Sequence, residues 1–328
     1  MQLVNRKEDI MAKYKVLVTA RSFGTVDDLA IKLLNNNNCE VKKLEAKDGP
    51  IPEQLKQELP LADAVIAGLE DYDQELIESA KNLKVISRYG VGYDKVDLDA
   101  AAKHHITVTV TPGANGDSVA DLAVTLMLDC ARNIVLMNDS IKGKNQVRPS
   151  GVEMWGKTLG IVGAGRIGKG VAKRCTGFNM RILCYDQYED EAFRKECNAE
   201  YVDFETLIRE SDFITIHSPL TPETKNMFGE KQFKAMKKDA ILVNTARGGI
   251  VDEAALYEAL KNGEIRAAAL DATVEEPPYE SPLCTLPNCI LTPHAGAATK
   301  EAVSKMGLMA AQNAVDVLTK GSCAYEVK

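Results

Sequence analysis

The stretch GKTLGIVGAGRIGKGVAKR, residues 156–174, decides the reading of this chain. It opens as an apolar run of strand character and closes in a helical pattern, and between the two Gly163, Gly165 and Gly168 stand in the spacing GxGxxG. Each glycine has its own physical reason. The first permits a tight turn out of a strand, the second lets backbone approach a pyrophosphate closely, and the third lets the following helix lie against the strand. The start of that helix then offers unpaired N–H groups and a partial positive charge to the anion. The next apolar run, RILCYD, ends in Asp186, which is 186 − 163 = 23 residues beyond the first glycine. An acid near that spacing accepts hydrogen bonds from ribose hydroxyls. It also repels a 2′-phosphate, and Gln187 and Tyr188 behind it supply no cation to receive one. The stretch predicts a dinucleotide-binding Rossmann unit that takes NAD in preference to NADP.

Working outward, short apolar runs alternate with helical patterns along the whole chain. Before the fingerprint they are YKVLVTA at 14–20, CEVKKL at 39–44, ADAVIAG at 62–68, LKVISRYG at 83–90 and ITVTVTP at 106–112. From the fingerprint onward they are TLGIVGAG, RILCYD, DFITIHSP, AILVNTARG, RAAALDA and NCILTPH. Alternation of this kind means parallel strands joined by helical crossovers, so the fold class is α/β with two doubly wound parallel-sheet domains. Between the two series, DSVADLAVTLMLDCARNIVL at 117–136 predicts one long buried helix, opened by a capping box of Ser118 and Asp121. Near the end, Val303, Met306, Ala310, Ala314 and Val317 form one apolar stripe, which predicts an amphipathic helix.

Composition narrows the classes of function. With 328 residues and 45% hydrophobic residues the chain has material for two large cores. Its 40 Lys and Arg against 47 Asp and Glu give a net charge of −7, and no basic run could neutralise a row of phosphates, so nucleic acid is not an expected partner. The eight cysteines show neither a CxxC pair nor a Cys/His ligand spacing, which predicts no metal site and free thiols in a reducing cytoplasm. MQLVNRKEDI at 1–10 is polar and reads as a tail or an upstream start, not a signal peptide, and no run has the length to span a bilayer.

Three reactive side chains follow three apolar runs: Arg247 after AILVN, Glu276 after AAALDA, and His294 after CILTP. Ligands of open parallel sheets bind outside the carboxyl ends of strands, so the three are expected on one rim. As a set they suit hydride chemistry on a 2-oxo acid. A guanidinium can hold a carboxylate through two parallel hydrogen bonds and polarise the neighbouring carbonyl. An imidazole can exchange a proton near neutral pH, and a carboxylate beside it orients the ring.

The segments RYGVGYDKVDLDAA, TPGANGDSVADLAV, GKTLGIVGAGRIGKGVAKR, FITIHSPLTPET, LVNTARGGIVDEAAL, ALDATVEEPP and TPHAGAAT together resemble the D-isomer-specific 2-hydroxyacid dehydrogenase family, in its phosphoglycerate-dehydrogenase-like branch. The likeness runs from about residue 14 to the end of the chain. It implies Arg247, Glu276 and His294 as the catalytic residues. It implies NAD contacts at Val91, Arg166, Ile167, Asp186, Ser218, Thr245, Ala246 and Asp271, with Gly296 close to the catalytic histidine and His217 on the nicotinamide side. The N–H groups of Val91 and Gly92 would hold the substrate carboxylate. The resemblance further implies a flavodoxin-like substrate-binding domain over residues 1–112, completed by 297–328, with the Rossmann NAD-binding domain inserted as 113–296. The active site would lie in the cleft between them, and closure would keep water from the hydride transfer. Members are usually homodimers.

Departures from the family pattern bear on the substrate. Phosphoglycerate dehydrogenases commonly carry an Arg-Ser pair after the third strand, where this chain has AGLEDY with Glu70 and Asp71, which would repel a phosphate. Arg21 and Ser22, after the first strand, could act as an anion grip instead. The usual DVF is DAT here, Asp271 to Thr273. No regulatory domain follows, so serine feedback is not expected. Candidate substrates are 3-phosphohydroxypyruvate, hydroxypyruvate and glyoxylate; phosphite oxidation, or NAD sensing in the manner of a corepressor of this fold, are the other readings.

Overall fold

The computed structural model describes residues 13–327, and the polar segment 1–10 lies outside them. Two compact units divide the chain: one runs to Asn115 and resumes at Thr299, and the other is Gly116–Ala298. The first crossing therefore falls at Asn115, not at Pro112, because the helix that opens the second unit begins at Gly116.

The first unit holds β1 (Tyr14–Val18), β2 (Cys39–Lys43), β3 (Ala64–Ala67), β4 (Val85–Arg88) and β5 (Thr107–Thr109) in the order β2-β1-β3-β4-β5. Every pairing is parallel. This is the flavodoxin-like order, whose direction of winding switches between β1 and β3. Helices cover both faces of such a sheet, which is why all four residues of β3 and of β4 are buried. One covering helix is Lys300–Lys320, capped by the Thr299 hydroxyl, which accepts from the Ala302 N–H, and ended by Gly321 in a left-handed conformation. The stripe Val303, Met306, Ala310, Ala314 and Val317 is buried. Small residues let this helix approach the sheet closely, and the Ser87 hydroxyl of β4 donates to the Ala310 carbonyl at 2.9 Å.

The second unit holds β6 (Thr158–Val162), β7 (Arg181–Tyr185), β8 (Ala199–Tyr201), β9 (Phe213–Ile216), β10 (Ile241–Asn244), β11 (Ala267–Leu270) and β12 (Cys289–Leu291). Their order is β12-β11-β10-β9-β6-β7-β8, all parallel, the Rossmann arrangement with one further strand beyond β11. The glycine turn leaves β6, at the point where the order reverses. Strand β8 is an edge of three residues whose sequence AEY is too short and polar to stand out as an apolar run.

The single buried helix expected over 117–136 is two helices. Gly116–Arg132 is interrupted at Asn133, which has φ +53°, and Ile134–Lys142 follows. No residue of the second piece is buried, and Ile134 is 47% and Ile141 66% exposed. Ser118 does not cap the first piece; it lies inside the helix and is buried. Asp121, its supposed capping partner, instead accepts from Arg174 Nε at 2.5 Å.

Ala310→Leu, which forces bulk between the last helix and the sheet, is expected to destabilise the fold by about 1–3 kcal/mol. Leu308→Ala, at a position 41% exposed on the same helix, should change stability by no more than about 0.5 kcal/mol. Urea unfolding midpoints of the two variants check the contrast.

Candidate active site

The site is assembled at the carboxyl edge of the second sheet. After β6, the helix Arg166–Cys175 starts directly behind Gly165, so the N–H groups of Arg166 and Ile167 belong to its first turn. A Cβ placed on Gly168 would come within 2.2 Å of the Gly163 carbonyl, which is the close helix–strand approach the fingerprint requires. A Cβ on Gly165 would meet nothing within 4 Å, so the turn presents bare backbone to open space. Asp186, just past β7, braces the turn: Oδ2 accepts the Ala164 N–H at 2.7 Å and Oδ1 the Tyr188 N–H at 2.9 Å.

Ala164, Gly165 and Asp186 line a cavity of about 780 Å³ that also includes Lys169, Tyr188 and Asp190. Lys169, the one cation among the described lining residues, is paired with Asp190. Bare backbone at a helix start fits a pyrophosphate, and an acidic rim fits ribose hydroxyls and opposes a 2′-phosphate, so the residues present fit NAD.

Strands β10, β11 and β12 end level with one another, Asn244 opposite Leu270 and Leu270 opposite Leu291. Arg247, Asp271 and His294 therefore leave the sheet side by side. Asn244 is 1% exposed and organises the Arg247 turn: its Nδ2 donates to the Arg247 carbonyl at 2.8 Å and its Oδ1 accepts the Ala246 N–H at 3.0 Å. The Arg247 guanidinium donates to the Ala246 carbonyl at 2.8 Å.

His294 Nδ1 lies 2.9 Å from Glu276 Oε1 and 3.1 Å from Oε2. A carboxylate can only accept, so Nδ1 carries the proton and Nε2 is left for exchange. The two side chains are 29% and 28% exposed, within reach of a small molecule. His294 itself has φ +51°. That conformation is held by Asp271, which is 3% exposed. Its Oδ1 accepts from the Thr292 hydroxyl at 2.6 Å and the Ala295 N–H at 2.7 Å, its Oδ2 from the Gly296 N–H at 2.8 Å, and its backbone carbonyl from the His294 N–H at 3.0 Å. The sequence suggested Asp271 and Gly296 as cofactor contacts; the geometry gives them this second role of fixing the histidine loop.

His217 follows β9. Its Nε2 is 2.9 Å from the Thr215 hydroxyl and its Nδ1 3.3 Å from that of Thr245, and burial pushes its pKa down to about 3. The ring is therefore neutral, with Ser218 next to it and Thr245 and Ala246 across from it at the end of β10. Asn244, Thr215 and Thr292 were not singled out from the sequence; for Asn244 and Thr292 a polar residue closing an apolar run was the available signal, whereas Thr215 lies inside its run.

The remaining expected residues belong to the first unit. Val91, 39% exposed, and Gly92 form the turn after β4. Arg21 is exposed after β1, its carbonyl accepting from Lys43 Nζ at 2.7 Å, and the Ser22 hydroxyl donates to the Tyr89 hydroxyl at 3.4 Å. Among the described residues no acid, Cys and His grouping could hold a metal ion, and no helix is long and apolar enough to cross a membrane.

A Rossmann unit with a glycine turn and a histidine–carboxylate pair on one sheet edge, joined in one chain to a flavodoxin-like unit, defines a two-domain dinucleotide-binding protein. The family model of the D-isomer specific 2-hydroxyacid dehydrogenase NAD binding domain matches residues 124–296. A glyoxylate reductase of Thermococcus litoralis is 45% identical over 313 residues, 92% of this chain and 93% of its own. A D-3-phosphoglycerate dehydrogenase of Methanocaldococcus jannaschii is 44% identical over 317 residues, 95% of this chain but 59% of its own, so the chain spans little more than half of that relative. Among solved structures, a protein of Thermus thermophilus superimposes with a TM-score of 0.86 at 36% identity, covering 96% of this chain and 100% of its own. The chain belongs to the D-isomer-specific 2-hydroxyacid dehydrogenase family, and its second unit is the NAD-binding domain of that family.

Two outcomes follow from the site's internal bonds. Asp271→Asn, which puts a donor where donors already converge, should cost about 1–3 kcal/mol and speed amide exchange at Ala295 and Gly296, read by unfolding and hydrogen-exchange mass spectrometry. For His217 the folded pKa of about 3 lies below the ordinary 6.5, so below pH 6.5 the unfolded chain takes up a proton that the folded chain refuses. Its contribution is fully present above 6.5 and is lost as the pH falls toward 3. Urea unfolding at pH 7.5 and pH 5 should show a smaller acid loss in His217→Asn than in the unchanged protein.

Proposed function

We propose that this protein is an NAD-dependent oxidoreductase that interconverts a small 2-oxo acid and its D-2-hydroxy acid. The observation that carries the reading is the His294–Glu276 pair, Nδ1 to Oε1 at 2.9 Å, fixed on the same sheet edge as the dinucleotide turn. Bound NAD supplies or accepts the hydride at the substrate's second carbon. In reduction, His294 Nε2 gives its proton to the carbonyl oxygen as that oxygen becomes a hydroxyl; in oxidation it takes the proton back. Glu276 holds Nδ1, keeps the ring turned for that exchange and balances the charge of the protonated ring. Arg247 grips the substrate carboxylate and draws charge toward the carbonyl oxygen. His217, neutral, would lie on the nicotinamide side of bound NAD without competing for the proton.

Hydroxypyruvate, glyoxylate and 3-phosphohydroxypyruvate are the substrates supported by the names of the relatives, glyoxylate reductase and D-3-phosphoglycerate dehydrogenase among them. A homodimer is supported by the exposed apolar side chains Ile134, Val135, Ile141 and Trp155 on the second unit. Eight cysteines without a disulfide among the described residues fit a reducing cytoplasm.

With this panel of 2-oxo acids, NADH oxidation is the test. His294→Ala should lower kcat about 10²- to 10⁴-fold while NADH still binds, measured by its fluorescence, and NADPH should serve far less well than NADH. Full turnover by His294→Ala would remove the mechanism.

A further inference from the structure

Asp271 fixes the histidine loop and Asn244 the Arg247 turn, but the chain that carries Glu276 leaves the protein interior before it reaches that residue. Beyond β11, Asp271, Ala272 and Thr273 are buried, whereas Val274 is 66% exposed and Glu275 stands in solvent. Such a stretch has little packing to fix its path, so hydrogen bonds must hold its backbone if Glu276 is to hold a ring in place. The Thr273 hydroxyl donates to the Glu275 carbonyl at 2.7 Å, a bond internal to the loop. The Val274 N–H donates to Glu253 Oε1 at 2.7 Å, which ties the loop to a different element, the first residue of the helix Glu253–Lys261.

Glu253 ends the segment RGGIVDE, residues 247–253, which begins at Arg247. That segment meets the Glu276 loop at a second point. A Cβ on Gly248 would come within 2.1 Å of the Thr273 carbonyl oxygen and 2.6 Å of the Val274 nitrogen, so the turn after Arg247 presses directly on the Thr273–Val274 peptide. Ile250 and Val251 anchor the segment in the core, and Asp252 caps the helix by accepting the Ala254 and Ala255 N–H groups at 3.1 and 3.0 Å. The cap thus does not require Glu253. Burial, with Glu275 and Asp252 nearby, pushes the Glu253 carboxyl up. A half-buried carboxylate beside two other acids is unfavourable, and the Val274 N–H is the donor that offsets it.

We infer that Glu253 is a positioning residue for the proton exchange: by accepting the Val274 N–H it fixes the loop on which Glu276 meets His294, and fixes it to the segment that carries Arg247. The inference rests on the proposed oxidoreductase activity. Glu253 touches no reacting atom and acts through Glu276.

The test measures kcat and KM for reduction of hydroxypyruvate, glyoxylate and 3-phosphohydroxypyruvate by NADH, using the intact chain. Glu253→Ala should lower kcat by about 10- to 100-fold, the effect of a misplacement of about 1 Å. KM should change far less, because Asn244 still holds the Arg247 turn. Glu253→Gln keeps an acceptor oxygen at the same reach and should recover most of the rate. Glu253→Asp keeps the charge at the helix start but is one methylene short, so it should stay slow; a role confined to the helix terminus would reverse that order. In a Glu276→Ala background, Glu253→Ala should lower kcat no further, since the two act as a unit. NADH fluorescence and the urea midpoint show that each variant is folded; should Glu253→Ala fail to fold, the contrast between Gln and Asp decides. An unchanged kcat in folded Glu253→Ala, a faster Asp than Gln variant, or losses that multiply in the double variant overturns the role of Glu253 and leaves the oxidoreductase reading standing. Turnover of no 2-oxo acid by the unchanged protein overturns both.

Discussion

A parallel sheet delivers the carboxyl end of every strand to the same edge, and the chemistry of this protein depends on that constraint. In the second unit β6, β9, β10, β11 and β12 are all parallel, so the glycine turn, His217, Arg247, Asp271 and His294 emerge together although they span residues 163 to 294. The strands themselves are buried, β9, β10 and β11 at every position, and contribute only the buried polar side chains Thr215 and Asn244 as supports for the site. Function is confined to the first few residues beyond each strand, where a side chain can reach solvent while its backbone is still held by the ladder.

That positional control would be too coarse without a second device, the buried Asp271. A carboxylate at 3% exposure is tolerable only when donors surround it, and here three converge on it, from Thr292, Ala295 and Gly296. All three lie on the segment that carries His294, so satisfying the charge also fixes the path of that loop. The left-handed backbone of His294, unfavourable for a residue with a Cβ, is sustained by this arrangement, and it aims the ring at Glu276.

The sequence was most readable where one residue type has one physical reason. GxGxxG between a strand and a helix, an acid at the end of the following run, and Arg, Glu and His behind three apolar runs required no knowledge of packing. The sequence was misleading where several partners compete. Ser118 and Asp121 have the spacing of a capping box, yet the helix begins earlier at Gly116, and Asp121 is claimed by Arg174 from a neighbouring helix. The apolar run to residue 136 reads as continuous, yet Asn133, a residue that accepts φ > 0 readily, breaks it. The loop-bracing role of Asp271 was not legible, because its donors, 21 to 25 residues further along the chain, are invisible until the strands are paired.

Two histidines on one edge show how environment assigns roles to identical side chains. His217 is held at both ring nitrogens by threonine hydroxyls, which can donate or accept but carry no charge, and burial keeps the ring neutral across the physiological range. His294 has a carboxylate at Nδ1 and more than a quarter of its side chain exposed, so one nitrogen is committed and the other remains open to a small molecule. A proton carrier needs both conditions: a fixed tautomer, so that the exchanging nitrogen is always the same one, and an open approach to that nitrogen. Only His294 meets both, and a proton placed on His217 would have to be buried without a counter-charge. The division of labour therefore follows from hydrogen-bond partners and burial alone, with no need for the two rings to differ chemically.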